Sequence, residues 1–218
     1  MRPKVRTCFQ GNDMIDAVPP ALLGGFSWRI VMLATIKNSF ATAVTLVFFI
    51  MLTRSGHFAT AISLPDATIA LLFVGGILLG RTSWLALMIV VAFLVDAYAI
   101  GVKGVSAYCV SPAYWGLVVT YAIVWGLGRW LAKRGEPFKI LPFVVTGFVA
   151  SSLAFAISNT FWYVFSGRFS DMSAMEFTSR IAHYGLPYVS YAMMYLGIAW
   201  VVHKAISSLV LPTRIGSA

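Results

Sequence analysis

Two side chains of this sequence, Cys109 and His57, suit a soft or borderline transition metal, the first as thiolate and the second as imidazole. Cys109 lies in the polar stretch GVKGVSAYCVSPAYW, from Gly101 to Trp115, and His57 in RSGHFATAIS. Each stretch interrupts long apolar runs. A structural zinc site takes four ligands, so two single ligands at this spacing exclude one. The plain readings remain open: a loop histidine in solvent, and a cysteine packed as a small hydrophobe.

A second set can hold a large polar ligand. Tyr108, Tyr114, Tyr184 and Tyr188 carry hydroxyls that both donate and accept, and Asn159 adds an amide. Asp96, in AFLVDAYAIG, is a carboxylate close to the end of an apolar run. It is costly there unless it is paired or faces a polar cavity; Arg180 and His183 are candidate partners, and a structural ion pair and a ligand contact are both open. Asp66 follows Pro65 at the start of another run, where proline fits the first turn and a carboxylate meets the positive end of the helix dipole. It reads as a helix-start residue.

These residues must be positioned by membrane helices. Of 218 residues, 60% are hydrophobic and only 11% charged, and the mean hydropathy is +0.85. Soluble domains average roughly 45–50% apolar and about 25% charged residues. The net charge of +9 does not point to nucleic acid, because the basic residues fall between apolar runs and form no single patch. The expected fold is an all-α integral membrane protein, a six-helix bundle over residues 38–206. Its spans are predicted at 39–53, 64–80, 83–100, 112–131, 140–165 and 180–205. Each is close to the roughly 20 residues that cross the bilayer, the first two being short. Residues 1–37 read as a tail with an interfacial helix or an early extension of the first span, and residues 207–218 as a second tail. Gly76 and Gly80, four residues apart, and the small residues Ser39, Ala41 and Ala43 are candidates for close helix contact.

Six spans put both termini on one side. That side then holds Arg2, Lys4, Arg6, Arg29, Lys37, Arg81, Arg129, Lys133, Arg134, Lys139, Lys204 and Arg214, against Arg54, Lys103, Arg168 and Arg180 on the other. The positive-inside rule makes the first side cytoplasmic. His57, Cys109 and most of the tyrosines then face outward, Cys8 lies on the opposite side from Cys109, and the thiol of Cys109 is free. No Walker sequence and no soluble catalytic domain accompany the spans, so any ATP-driven step comes from a partner.

With these features the chain, over about residues 38–206, resembles the substrate-binding S-components of energy-coupling-factor (ECF) vitamin transporters. Within that group it is most similar to the BtuM-type cobalamin transporters, solitary S-components of Gram-negative bacteria. That family has a cysteine near the outer end of the bundle that serves as an axial cobalt ligand, and YCVSPAYW supplies it as Cys109. His57 fits a second position near the corrin. The resemblance implies cobalamin (vitamin B12) as transported ligand and a monomer in the inner (cytoplasmic) membrane, with its site facing the periplasm. It also implies an ECF ATPase and transmembrane coupling module as partner. The corrin's amide arms would meet the tyrosines, Asp96 and Asn159.

The chain is accordingly read as a transporter and not an enzyme, although a thiolate on cobalt can labilise the opposite ligand, such as cyanide. Two alternatives are an S-component for another vitamin, such as riboflavin or a thiamine precursor, and a membrane enzyme with Cys109 as nucleophile and His57 or His183 as base. The latter needs thiol and imidazole within about 3 Å.

Overall fold

The computed structural model describes residues 26–56, 64–104 and 110–210. Among them the chain is helical and holds no strand: α1 Phe26–Gly56, α2 Thr68–Leu78, α3 Thr82–Gly101, α4 Trp115–Ala132, α5 Ile140–Phe165 and α6 Ala174–Val210. A single 3-10 turn, Pro112–Tyr114, leads into α4, with the Ser111 hydroxyl accepting from the Ala113 amide at 3.3 Å. The chain forms two compact units, 1–40 and 41–218.

Four helices, α3, α4 with its leading turn, α5 and α6, are long and apolar enough to cross a membrane. Large apolar side chains cover their outer surface, with Leu141 70% and Leu186 78% exposed. An apolar exterior this extensive is unfavourable in water and ordinary in lipid, and the protein is a membrane protein. The third, fourth and fifth predicted spans end within three residues of α3, α4 and α5. The predicted 64–80 is different, because only Thr68–Leu78 is helical. Eleven residues rise only about 16 Å, roughly half the hydrocarbon thickness. Residues 64–67 run in without helix, and Gly80, at φ +71°, turns the chain out just past the end. This backbone conformation favours glycine.

The short helix α2 is the centre of the fold. Nine of its residues are buried, the pattern of a helix apolar all round and enclosed by neighbours. It touches α3, α4, α5 and α6. Its closest partner is α4, and glycines on both helices permit the approach. A Cβ on Gly76 would collide with the backbone carbonyl of Trp125, and one on Gly128 with that of Phe73. The small-residue contact expected from Gly76 and Gly80 is therefore made by Gly76 against α4, while Gly80 serves the turn. Ile50, Leu72, Phe73, Val124, Phe143 and Leu196 complete the core.

Two ends of the bundle differ in charge. The end holding Arg54, Lys103, Arg168 and Arg180 also carries Asp66, Asp96, Asp171 and Glu176. The opposite end holds Arg81, Arg129, Lys133, Arg134, Lys139 and Lys204 with Glu136 alone.

Candidate ligand site beside Arg54

Arg54 ends the apolar face of α1 and is 8% exposed. A guanidinium buried this deeply is stable only when its donors are satisfied. Its Nε donates to Asp96 Oδ1 and its Nη2 to Asp96 Oδ2, both at 2.6 Å, a bidentate fork onto the carboxylate near the end of α3. Its Nη1 donates to Asp66 Oδ2 and to the Tyr121 hydroxyl, each at 3.0 Å, and to Thr68 Oγ1 at 3.4 Å. The Tyr114 hydroxyl donates to Asp96 Oδ2 from the other side. Charge-assisted and bidentate bonds of this kind are the strong ones. One arginine thus ties α1 to the entrance of α2, to α3 and to α4.

Asp66 has a double role. Its Oδ1 accepts the Thr68 backbone N–H at 2.9 Å and the Thr68 hydroxyl, which satisfies a donor at the start of α2. Its Oδ2 is held by Arg54. The helix-start function read from the sequence is present, and an ion pair is added to it. The Asp66 side chain remains 35% exposed, against 13% for Asp96.

Beside this network lies a cavity of about 440 Å3, lined by Arg54, Pro65, Asp66, Thr68, Tyr121 and Ser158, by Tyr188 and Tyr191, and by the apolar Ile69, Leu117 and Ala192. Mostly apolar walls with a few convergent polar groups are the usual form of a small-molecule site. Its polar groups come from α1, α2, α4, α5 and α6, all at one end of the bundle.

Of the residues proposed from sequence, Tyr188 lines the cavity, while Asp96 and Tyr114 lie one step behind it, joined to it through Arg54. Asn159 and Tyr184 are not among the lining residues. The Asn159 amide donates back to the Phe155 carbonyl of its own helix at 2.8 Å, and Tyr184 is 62% exposed with its ring against His183. His57, Tyr108 and Cys109 lie outside the described residues.

Neither candidate partner of Asp96 pairs with it. Arg180 pairs instead with Glu176, one turn before it, at 2.7 Å, and the His183 ring lies tilted against that of Tyr184. The partner is Arg54, which the hydropathy pattern had assigned to an outer connection. Sequence reading also passed over Tyr121, a hydroxyl six residues into α4. Arg54 carried a legible signal, since it directly follows an apolar run in a chain with two membrane-edge carboxylates to neutralise.

Among the described residues no three His, Cys, Asp or Glu side chains gather as a metal site. No protein-family model matches the chain, and comparison with curated proteins finds no significant match.

Proposed function

We propose that the protein binds cobalamin and carries it across the bacterial cytoplasmic membrane, with Cys109 as axial ligand to the cargo's cobalt. One observation carries the reading: a polar-edged cavity at one end of an apolar helical bundle. The segment with His57 joins Arg54 to Pro65, two cavity residues, and Cys109 precedes Tyr114 by five residues. The charge difference between the two ends supports an outward-facing cavity, because the end rich in lysine and arginine is the one that stays in the cytoplasm.

A corrin with its amide arms is larger than 440 Å3, so the cavity takes one edge of it. Four ring nitrogens already hold cobalt, which leaves two axial positions for protein donors, Cys109 on one face and His57 as candidate for the other. In this reading the bundle has six membrane segments with α2 as a short inner one, both termini cytoplasmic, and works as a monomer that passes its cargo inward. An ATP-driven coupling module is its expected partner. Ligand exchange at cobalt, such as loss of cyanide, follows from thiolate binding and is incidental to transport.

The cavity's size favours one second reading, uptake of a smaller vitamin such as riboflavin or a thiamine precursor. Growth of a cobalamin-dependent bacterium lacking its own uptake system separates the two. The intact chain restores growth on nanomolar cobalamin and Cys109→Ala reduces it. Failure of the intact, membrane-inserted chain to restore growth contradicts the cobalamin reading.

A further inference from the structure

We infer that the cavity selects ligands that present hydrogen-bond donors and rejects those that present a carboxylate, with Asp66 as the discriminating residue. Formal charge is the first ground. Arg54 contributes one positive charge, and Asp66 and Asp96 contribute two negative charges. The two carboxylates share that one guanidinium, which leaves one net negative charge on the group, and Asp66 is the more exposed of the two and the one in the cavity wall.

Hydrogen-bond polarity is a second and separate ground. All three guanidinium nitrogens of Arg54 are engaged within the network, and the Thr68 hydroxyl gives its proton to Asp66. The Ser158 hydroxyl donates to the Ala154 carbonyl at 2.7 Å, which leaves its lone pairs for the cavity. Pro65 has no N–H, and its carbonyl accepts the Tyr195 hydroxyl at 2.8 Å with a lone pair to spare. The side chain of Asp66 and the hydroxyl oxygen of Ser158 thus give the cavity wall its acceptors. The tyrosine hydroxyls can serve as donors or acceptors at need.

A primary amide places two N–H donors against such a wall. A carboxylate of the same shape meets like charge and unpaired acceptors, and specificity of this sort comes from the repulsive element as much as from the attractive one. The inference rests on the proposed cobalamin reading and sharpens it: the groups received in the cavity are the neutral amide arms of the corrin.

The test compares cyanocobalamin with its monocarboxylic acid derivatives, each with one arm amide hydrolysed, by equilibrium binding to the purified full chain at neutral pH. At least one acid derivative should bind roughly tenfold or more weakly than the parent. Asp66→Asn should narrow that gap to within about threefold. Binding of every acid derivative within about threefold of the parent overturns the inference and leaves the cobalamin reading intact, as does a gap unchanged in folded Asp66→Asn protein. Absence of binding by any corrinoid overturns both. The wild-type comparison decides the matter alone if Asp66→Asn does not fold.

Discussion

Replacing Arg54 by glutamine tests the network that supports the cavity. The change leaves two carboxylates, Asp96 at 13% and Asp66 at 35% exposure, without the cation that holds them. Removal of one partner from a buried ion pair costs about 3–5 kcal/mol, because the remaining charge stays desolvated. Here the cost should lie toward the upper part of that range, since five donor contacts to four side chains vanish together. For a chain of this size about 2–4 °C in Tm corresponds to each kcal/mol, so a cost of about 4–5 kcal/mol should move thermal unfolding in detergent down by roughly 8–20 °C. Arg54→Lys should recover only part of the loss, because an ammonium cannot reproduce the two-pronged contact with Asp96. The triple variant Arg54→Met, Asp96→Leu, Asp66→Asn removes the charges together and should be far closer to wild type than Arg54→Gln. A Tm of Arg54→Gln within about 2 °C of wild type would refute the assignment of Arg54 as the tie between α1 and its neighbours.

Three shorter predictions follow from particular contacts. Tyr114→Phe keeps the ring packing on Phe93, with centroids 4.8 Å apart, and loses the bond to Asp96. It should cost about 1.5–3 kcal/mol, the usual range for a hydrogen bond to a charged group, and a Tm equal to wild type would count against that bond. Gly128→Ala forces a methyl onto the Phe73 carbonyl and should destabilise by about 1–3 kcal/mol. Gly126→Ala meets nothing within 4 Å and should stabilise by up to about 1 kcal/mol through helix propensity, so equal effects of the two would dismiss the α2–α4 contact. For orientation, a cysteine at Arg168 in a background lacking Cys8 and Cys109 should react with an impermeant maleimide from outside intact cells, and one at Glu136 should not. The reverse pattern would turn the molecule over.

Hydropathy located helices where the apolar run and the helix coincide, as in α5, predicted at 140–165 and found at Ile140–Phe165. It failed where local polar chemistry sets the boundary. The sixth span was begun at Arg180, but α6 starts at Ala174, because Ser173 accepts the Glu176 amide at 3.3 Å and Glu176 pairs with Arg180 across one turn. The Ser173-to-Glu176 spacing is that of a capping box, a signal that an apolar window cannot register. The site was legible in the same uneven way. Asp96 was correctly singled out as needing a partner, yet its partner comes from 42 positions earlier in the chain. No local pattern reports which helix faces which across that distance. Tyr188 was reached from the surplus of tyrosines at one end, a compositional signal that did not distinguish it from exposed Tyr184.

The proposal that Cys109 ligates the cobalt of bound cobalamin has a direct spectroscopic test. Protein purified from cells grown with the vitamin should carry corrin absorption bands, and these should differ from those of free cobalamin because a sulfur donor has replaced an axial ligand. In Cys109→Ala the bands should be lost or should return to the free-vitamin form. A colourless wild-type protein, or a bound spectrum identical in wild type and Cys109→Ala, would contradict the assignment.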